Sequence, residues 1–158
     1  TALMIAATLG NEPCVQALLE AKANTELTNK EGDTALQSAE FTGHTAIAAL
    51  LRQHAARPQP ATAAPAAPRD ADERAMSSPN SLPRDVILSV AQGELSKVRR
   101  WLRKGGAIDA FGSGPVGGGQ TATGTLLHFA ATYDHLDLVR ELLKRGARVD
   151  LRSSMGLT

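Results

Sequence analysis

The feature that most constrains this chain is that it repeats itself every 33 residues. The segment TALMIAATLGNEPCVQALLEAKANTEL starts at Thr1 and TALQSAEFTGHTAIAALLRQHA starts at Thr34. Thr1, Leu3, Ala6, Gly10 and Leu18 of the first recur as Thr34, Leu36, Ala39, Gly43 and Leu51 of the second. A third copy, TLLHFAATYDHLDLVRELLKRGARVD, starts at Thr125, and 33 residues further on stands Thr158. A weaker fourth, VILSVAQGELSKVRRWLRKGGAIDA, places Gly93 and Val98 where the first has Gly10 and Val15. Units this short cannot bury an apolar face alone, so such a chain folds by stacking neighbours into a solenoid.

Each unit reads as two short helices. A Thr caps the first, a Gly or Asp ends it, and a second helix follows with an apolar stripe such as Leu138, Val139, Leu142 and Leu143. Gly146 then permits the turn into an extended loop. Paired alanines such as Ala130 and Ala131 let helices approach closely. This explains a composition that is 42% hydrophobic but only 3% aromatic: the layers are thin and spaced by Ala, Leu and Val.

These residues resemble the ankyrin repeat. The family's pattern of Thr, Leu, His and paired Ala, then Gly-His, Val, Leu-Leu and Gly-Ala, stands here as TLLHFAA, GHTAIAALL and LVRELLKRGA. The resemblance implies an all-α solenoid of about four helix-turn-helix units with finger loops. The chain departs from the pattern at Ala2 and Ala35, which replace Pro, at Lys22, which replaces the second Gly, and at Asp134, which replaces the first. Asp adopts a left-handed backbone at modest cost, so the last exchange is tolerable.

Residues 56–81 are rich in Pro, Ala and Ser with almost no large apolar side chain, and read as a disordered linker. The expected organisation is two repeats in 1–55, the linker, and in 82–158 a degenerate capping repeat, a Gly-rich insertion at 111–124 and one repeat running into the next. SSMGLT at one end and TALMIAA at the other share a phase. The expected spatial order is therefore 82–110, 117–150, then 151–158 continued by 1–27, then 28–55. The same phasing admits stacking of the 1–55 and 82–158 halves of different molecules, or a longer tandem array.

No run of 18 apolar residues is present, so no membrane span is expected, and the single cysteine, Cys14, permits a reducing compartment. The expectation is an intracellular protein of the cytoplasm or nucleus. Charge is balanced at +1 overall, with an acidic first half and a basic second, which gives no general attraction to nucleic acid. His128, His135 and His44 occupy family positions with structural roles, and neither a metal site nor a cofactor is expected. GSGPVG at 112–117 matches a dinucleotide pattern but lacks the preceding strand, following helix and ribose-binding acid. It reads instead as part of an enlarged, mobile finger loop. Cys14 aligns with Ile47 and Leu138 and reads as a buried core thiol.

The resemblance, together with the lack of a reactive constellation, implies non-catalytic recognition of another protein on the concave inner-helix and finger-loop surface. The family's variable positions there are Thr8, Leu9, Phe41, Thr42, Gln92, Thr132, Tyr133, Met155 and Leu157, among which Tyr133, Leu9 and Phe41 form an apolar file. Packing between repeats would account for the same side chains. Two other functions fit the sequence. One is a structural or assembly subunit. The other is a binder of phosphorylated ligands through the basic helix 97–104, with Lys97, Arg99, Arg100, Arg103 and Lys104 around Trp101. That helix reads equally as a solvated cap face.

Overall fold

A computed structural model describes residues 1–55, 81–115 and 121–153. All of the expected linker but Ser81, the tip of the insertion, and Met155, Leu157 and Thr158 lie outside the described residues.

Every repeat is a helix pair. Thr34 shows how one begins: its hydroxyl accepts from the Gln37 N–H at 3.3 Å, and the Gln37 side chain accepts from the Thr34 N–H at 2.8 Å. The pairs are α1 (Ala2–Leu9) with α2 (Glu12–Glu20), α3 (Ala35–Phe41) with α4 (Thr45–Ala55), α5 (Arg84–Ala91) with α6 (Leu95–Arg103), and α7 (Leu126–Thr132) with α8 (Leu136–Lys144). The first helix of each pair lies on the inner side of the stack and the second on the outer side.

The order in space is not the order in sequence. Helix α5 packs on α7, α7 on α1 and α1 on α3, while on the outer side α8 packs on α2 and α2 on α4. The second block therefore precedes the first within this one chain, and the contact of α7 with α1 is the middle of the stack. Ala6 and Ala7 of α1, like Ala130 and Ala131 of α7, have no exposed surface, which is what lets inner helices pack closely. Leu3, Leu18, Leu51, Leu127, Leu142 and Phe129 fill the layers between them.

Hydrogen bonds repeat with the same period. The His135 ring donates to the Ala91 carbonyl at 3.4 Å, and the His44 ring to the Thr8 carbonyl at 3.1 Å. Between these two interfaces, where α1 meets α7, Asn11 occupies the equivalent position and its amide donates to the Ala131 carbonyl at 2.6 Å. The finger loops are tied likewise. Asp109 accepts from the Arg148 N–H at 3.0 Å and Asp150 from the Asn24 N–H at 3.0 Å, so the junction between the two blocks is built like the others. Lys22 (φ 62°) and Asp134 (φ 56°), which replace glycines of the repeat, are the two non-glycine residues with left-handed backbone among those described.

The insertion corrects an expectation. It was expected to protrude as a mobile loop; instead β1 (Gly112–Pro115) and β2 (Thr121–Gly124) form an antiparallel hairpin pairing Gly112 with Gly124. The hairpin lies against α5 and α7. A β-carbon on Gly114 would stand 2.3 Å from Ile87 Cγ2 and 3.1 Å from Phe129 Cε1, so only a glycine permits this approach.

Candidate functional site

The inner-helix ends form the surface on which the sequence places its candidates. Leu9 ends α1 and is 44% exposed; Phe41 ends α3 and is 94% exposed. Helical spacing puts each at the rim of its turn, clear of the core that its neighbours Ala6 and Ala39 enter. Phe41 takes the register of Thr8 and Thr132, while Leu9 takes that of Tyr133 and Thr42, so the apolar pair runs diagonally across two repeats.

The other candidates are partly committed elsewhere. The hydroxyls of Thr8, Thr42 and Thr132 donate to carbonyls of their own helices, Met4, Ser38 and His128, each at 2.9 Å. Tyr133 is half-buried, and its hydroxyl donates to the Pro115 carbonyl of the hairpin at 2.5 Å. Burial pushes the phenol above its ordinary range. Tyr133 therefore fastens the hairpin to the end of α7 and is less available than Leu9 or Phe41. Gln92 is exposed at the end of α5.

Leu88, 42% exposed on α5, was not among the sequence candidates. Its register matches Ile5 and Phe129, which neighbouring repeats bury, and among the described residues no repeat precedes α5. The sequence signal was present in that alignment together with the expected place of 82–110 at the head of the stack.

On the basic helix, Lys97 pairs with Glu94 at 2.6 Å and Arg99 with Glu141 at 3.2 Å. Glu141 also accepts from Arg145 at 3.0 Å, and these guanidinium hydrogen bonds, Arg145's foremost, hold its carboxyl below the usual range. Arg100, Arg103 and Lys104 are exposed without an ion pair among the described residues. Trp101 is half-buried, its ring against Gly106.

Neither the cysteine nor the buried histidine is disposed for chemistry. Cys14 has no exposed surface, its thiol donates to Asp134 at 3.4 Å, and burial pushes it up to about 12. His128 donates through Nε2 to the Leu151 carbonyl at 2.9 Å, while Nδ1 accepts from the Thr125 N–H at 3.2 Å and its hydroxyl at 2.8 Å. Among the described residues no group of three or more His, Cys, Asp or Glu is placed to hold a metal ion, and no helix is long and apolar enough to cross a membrane.

Stacked helix pairs, periodic links between their turns and a row of inner-helix ends define a helix-pair solenoid. Comparison with protein families places it more closely: a model of ankyrin repeats in three copies matches residues 1–61, and one of a single ankyrin repeat matches 124–154, together more than half of the chain. The chain belongs to the ankyrin repeat family, whose repeats are in general protein-interaction modules without catalytic function. No curated protein and no solved structure matches it. The degenerate repeat α5–α6 lies outside both family matches and is recognised by its place in the stack.

Proposed function

We propose that the chain is a non-catalytic recognition module that binds a partner protein on its inner-helix ends, with Phe41 and Leu9 as apolar anchors. The observation that carries this is the exposure of Phe41. A large aromatic side chain left 94% exposed, one repeat from a second exposed apolar residue, contributes nothing to folding and suits burial against another surface. Gln92, Thr8, Thr42 and Thr132 supply a polar surround, and the hairpin held by Tyr133 bounds the surface at the α7 end. A stack of repeats presents these groups preorganised, so little ordering entropy opposes binding.

The test is crosslinking in native extract with a photoreactive residue at position 41, followed by Phe41→Ala with Leu9→Ala against the partner identified. The double variant is expected to lose at least about 2 kcal/mol of binding free energy with its melting temperature unchanged. Undiminished affinity would reject the surface. Absence of any crosslinked protein would favour a structural or assembly subunit.

A further inference from the structure

The stack carries a second surface, on the opposite side, that the sequence only half reveals. Counting from the turn glycines Gly105 and Gly146, Arg103 of α6 and Lys144 of α8 occupy equivalent positions, as do Lys104 and Arg145. All four are exposed, and Arg99 of α6 reaches Glu141 of α8. With Arg100 and Arg148 they make a six-cation face across two repeats. The acid within it, Glu141, is already shared by two arginines. No carboxylate pairs with Arg100, Arg103, Lys104, Lys144 or Arg148 among the described residues.

Helix stability does not require these charges. Cations at a helix C-terminus complement its dipole, yet α2 ends with no basic residue in its last turn and carries exposed Glu20 in the register of Lys144. The stack is therefore polarised, basic over the outer face of its first two repeats and acidic over α2.

We propose that this outer face docks on an anionic lipid bilayer, with the acidic repeats and the Phe41 surface held away from it. Charge complementarity demands an anionic partner. Half-buried Trp101, Leu102 and Leu143 lie between the cations, the mixture of amphipathic ring, aliphatic and basic side chains that suits a membrane interface. The Trp101 ring packs on Gly106 and offers no stacking platform for an unpaired base, which sets a single-stranded nucleic acid aside. Long, exposed cations, five of the six without an ion pair among the described residues, suit a fluid surface of headgroups. The inference does not depend on the groove, since the substitutions that test it leave Phe41 and Leu9 intact.

The experiment is cosedimentation of the 158-residue chain with phosphatidylcholine vesicles and with vesicles containing about one third phosphatidylserine. Binding is expected to the anionic vesicles alone and to be lost between about 50 and about 500 mM NaCl as screening shortens. Arg103→Glu with Lys144→Glu is expected to weaken it at least about thirtyfold with the circular dichroism spectrum unchanged. Glu20→Lys, which extends the ladder into a third repeat, is expected to strengthen it about fivefold, so the idea stays testable even if the double variant misfolds. Equal binding to neutral vesicles, an unaltered affinity in a folded double variant, or no gain from Glu20→Lys overturns the proposal. Tighter binding to duplex DNA than to the anionic vesicles overturns it in favour of a nucleic acid.

Discussion

At the scale of single residues, His128 shows how closely structure and protonation are joined. Its Nε2–H is spent on the Leu151 carbonyl, and its Nδ1 faces two donors of Thr125. A second ring proton would meet the Thr125 N–H head-on in a site with almost no exposure. Burial accordingly pushes the imidazole down to about 3. The unfolded chain, titrating near the ordinary 6.5, binds this proton first, so stability is complete above about pH 6.5 and is lost as pH falls towards 3, by up to about 1.4 kcal/mol per pH unit. Gln37 performs the same capping role in α3 without a titrating group. His128→Gln is therefore expected to flatten the acid limb of stability against pH, measured by urea unfolding at a series of pH values. An unchanged limb would show that other groups govern it. The histidine's structural role was legible from its family position, which implies a ring bonded to the backbone of the neighbouring loop, as it is to Leu151, whereas its part in the Thr125 cap was not. Asn11 was not: nothing in its neighbourhood announces that an amide substitutes for the histidine that links the other repeats.

At the scale of elements, the helices were legible and the hairpin was not. Apolar stripes recur with the repeat and mark all four pairs, while a capping threonine opens three of them, Pro83 standing before α5, and a glycine ends the first helix of three, Asp134 replacing it after α7. The insertion carries five glycines in eight residues from Gly112 to Gly119, a composition that argues for a loose loop when read locally. What orders it is tertiary: the absence of side chains on Gly112 and Gly114 lets the strand settle on Leu82, Ile87 and Phe129. The same missing β-carbons that suggest freedom thus provide the fit. Gly114→Ala is expected to destabilise the fold by about 1–3 kcal/mol, because the added carbon collides with Ile87 and the hairpin must lift. Urea denaturation and hydrogen exchange at Thr123 and Gly124 read this out, and full protection in the variant would count against the packing described. The candidate site was partly legible for a related reason. Register identifies Leu9 and Phe41, whereas the engagement of Tyr133 depends on a hairpin whose local composition reads as a loop.

At the scale of the whole molecule, the two blocks share one core, since α1 is packed between α7 and α3 and the junction has the same links as its neighbours. They are expected to unfold together. Trp101 lies in one block and much of the helix signal in the other, so fluorescence and circular dichroism should give coincident urea transitions. Two separated transitions would mean that the central interface is weaker than the rest. That interface also sets the order in which the molecule assembles. Most solenoids grow by adding each repeat to the one just made, so every contact closes a short loop. Here Asn11 meets Ala131 across 120 residues of chain. Closing that span instead of a single 33-residue repeat costs about 1 kcal/mol more in loop entropy, and it raises the share of long-range contacts that slow folding. Helices α1 and α2 are made well before α7 and α8, the surface they must join. The middle of this stack is therefore the last part to close.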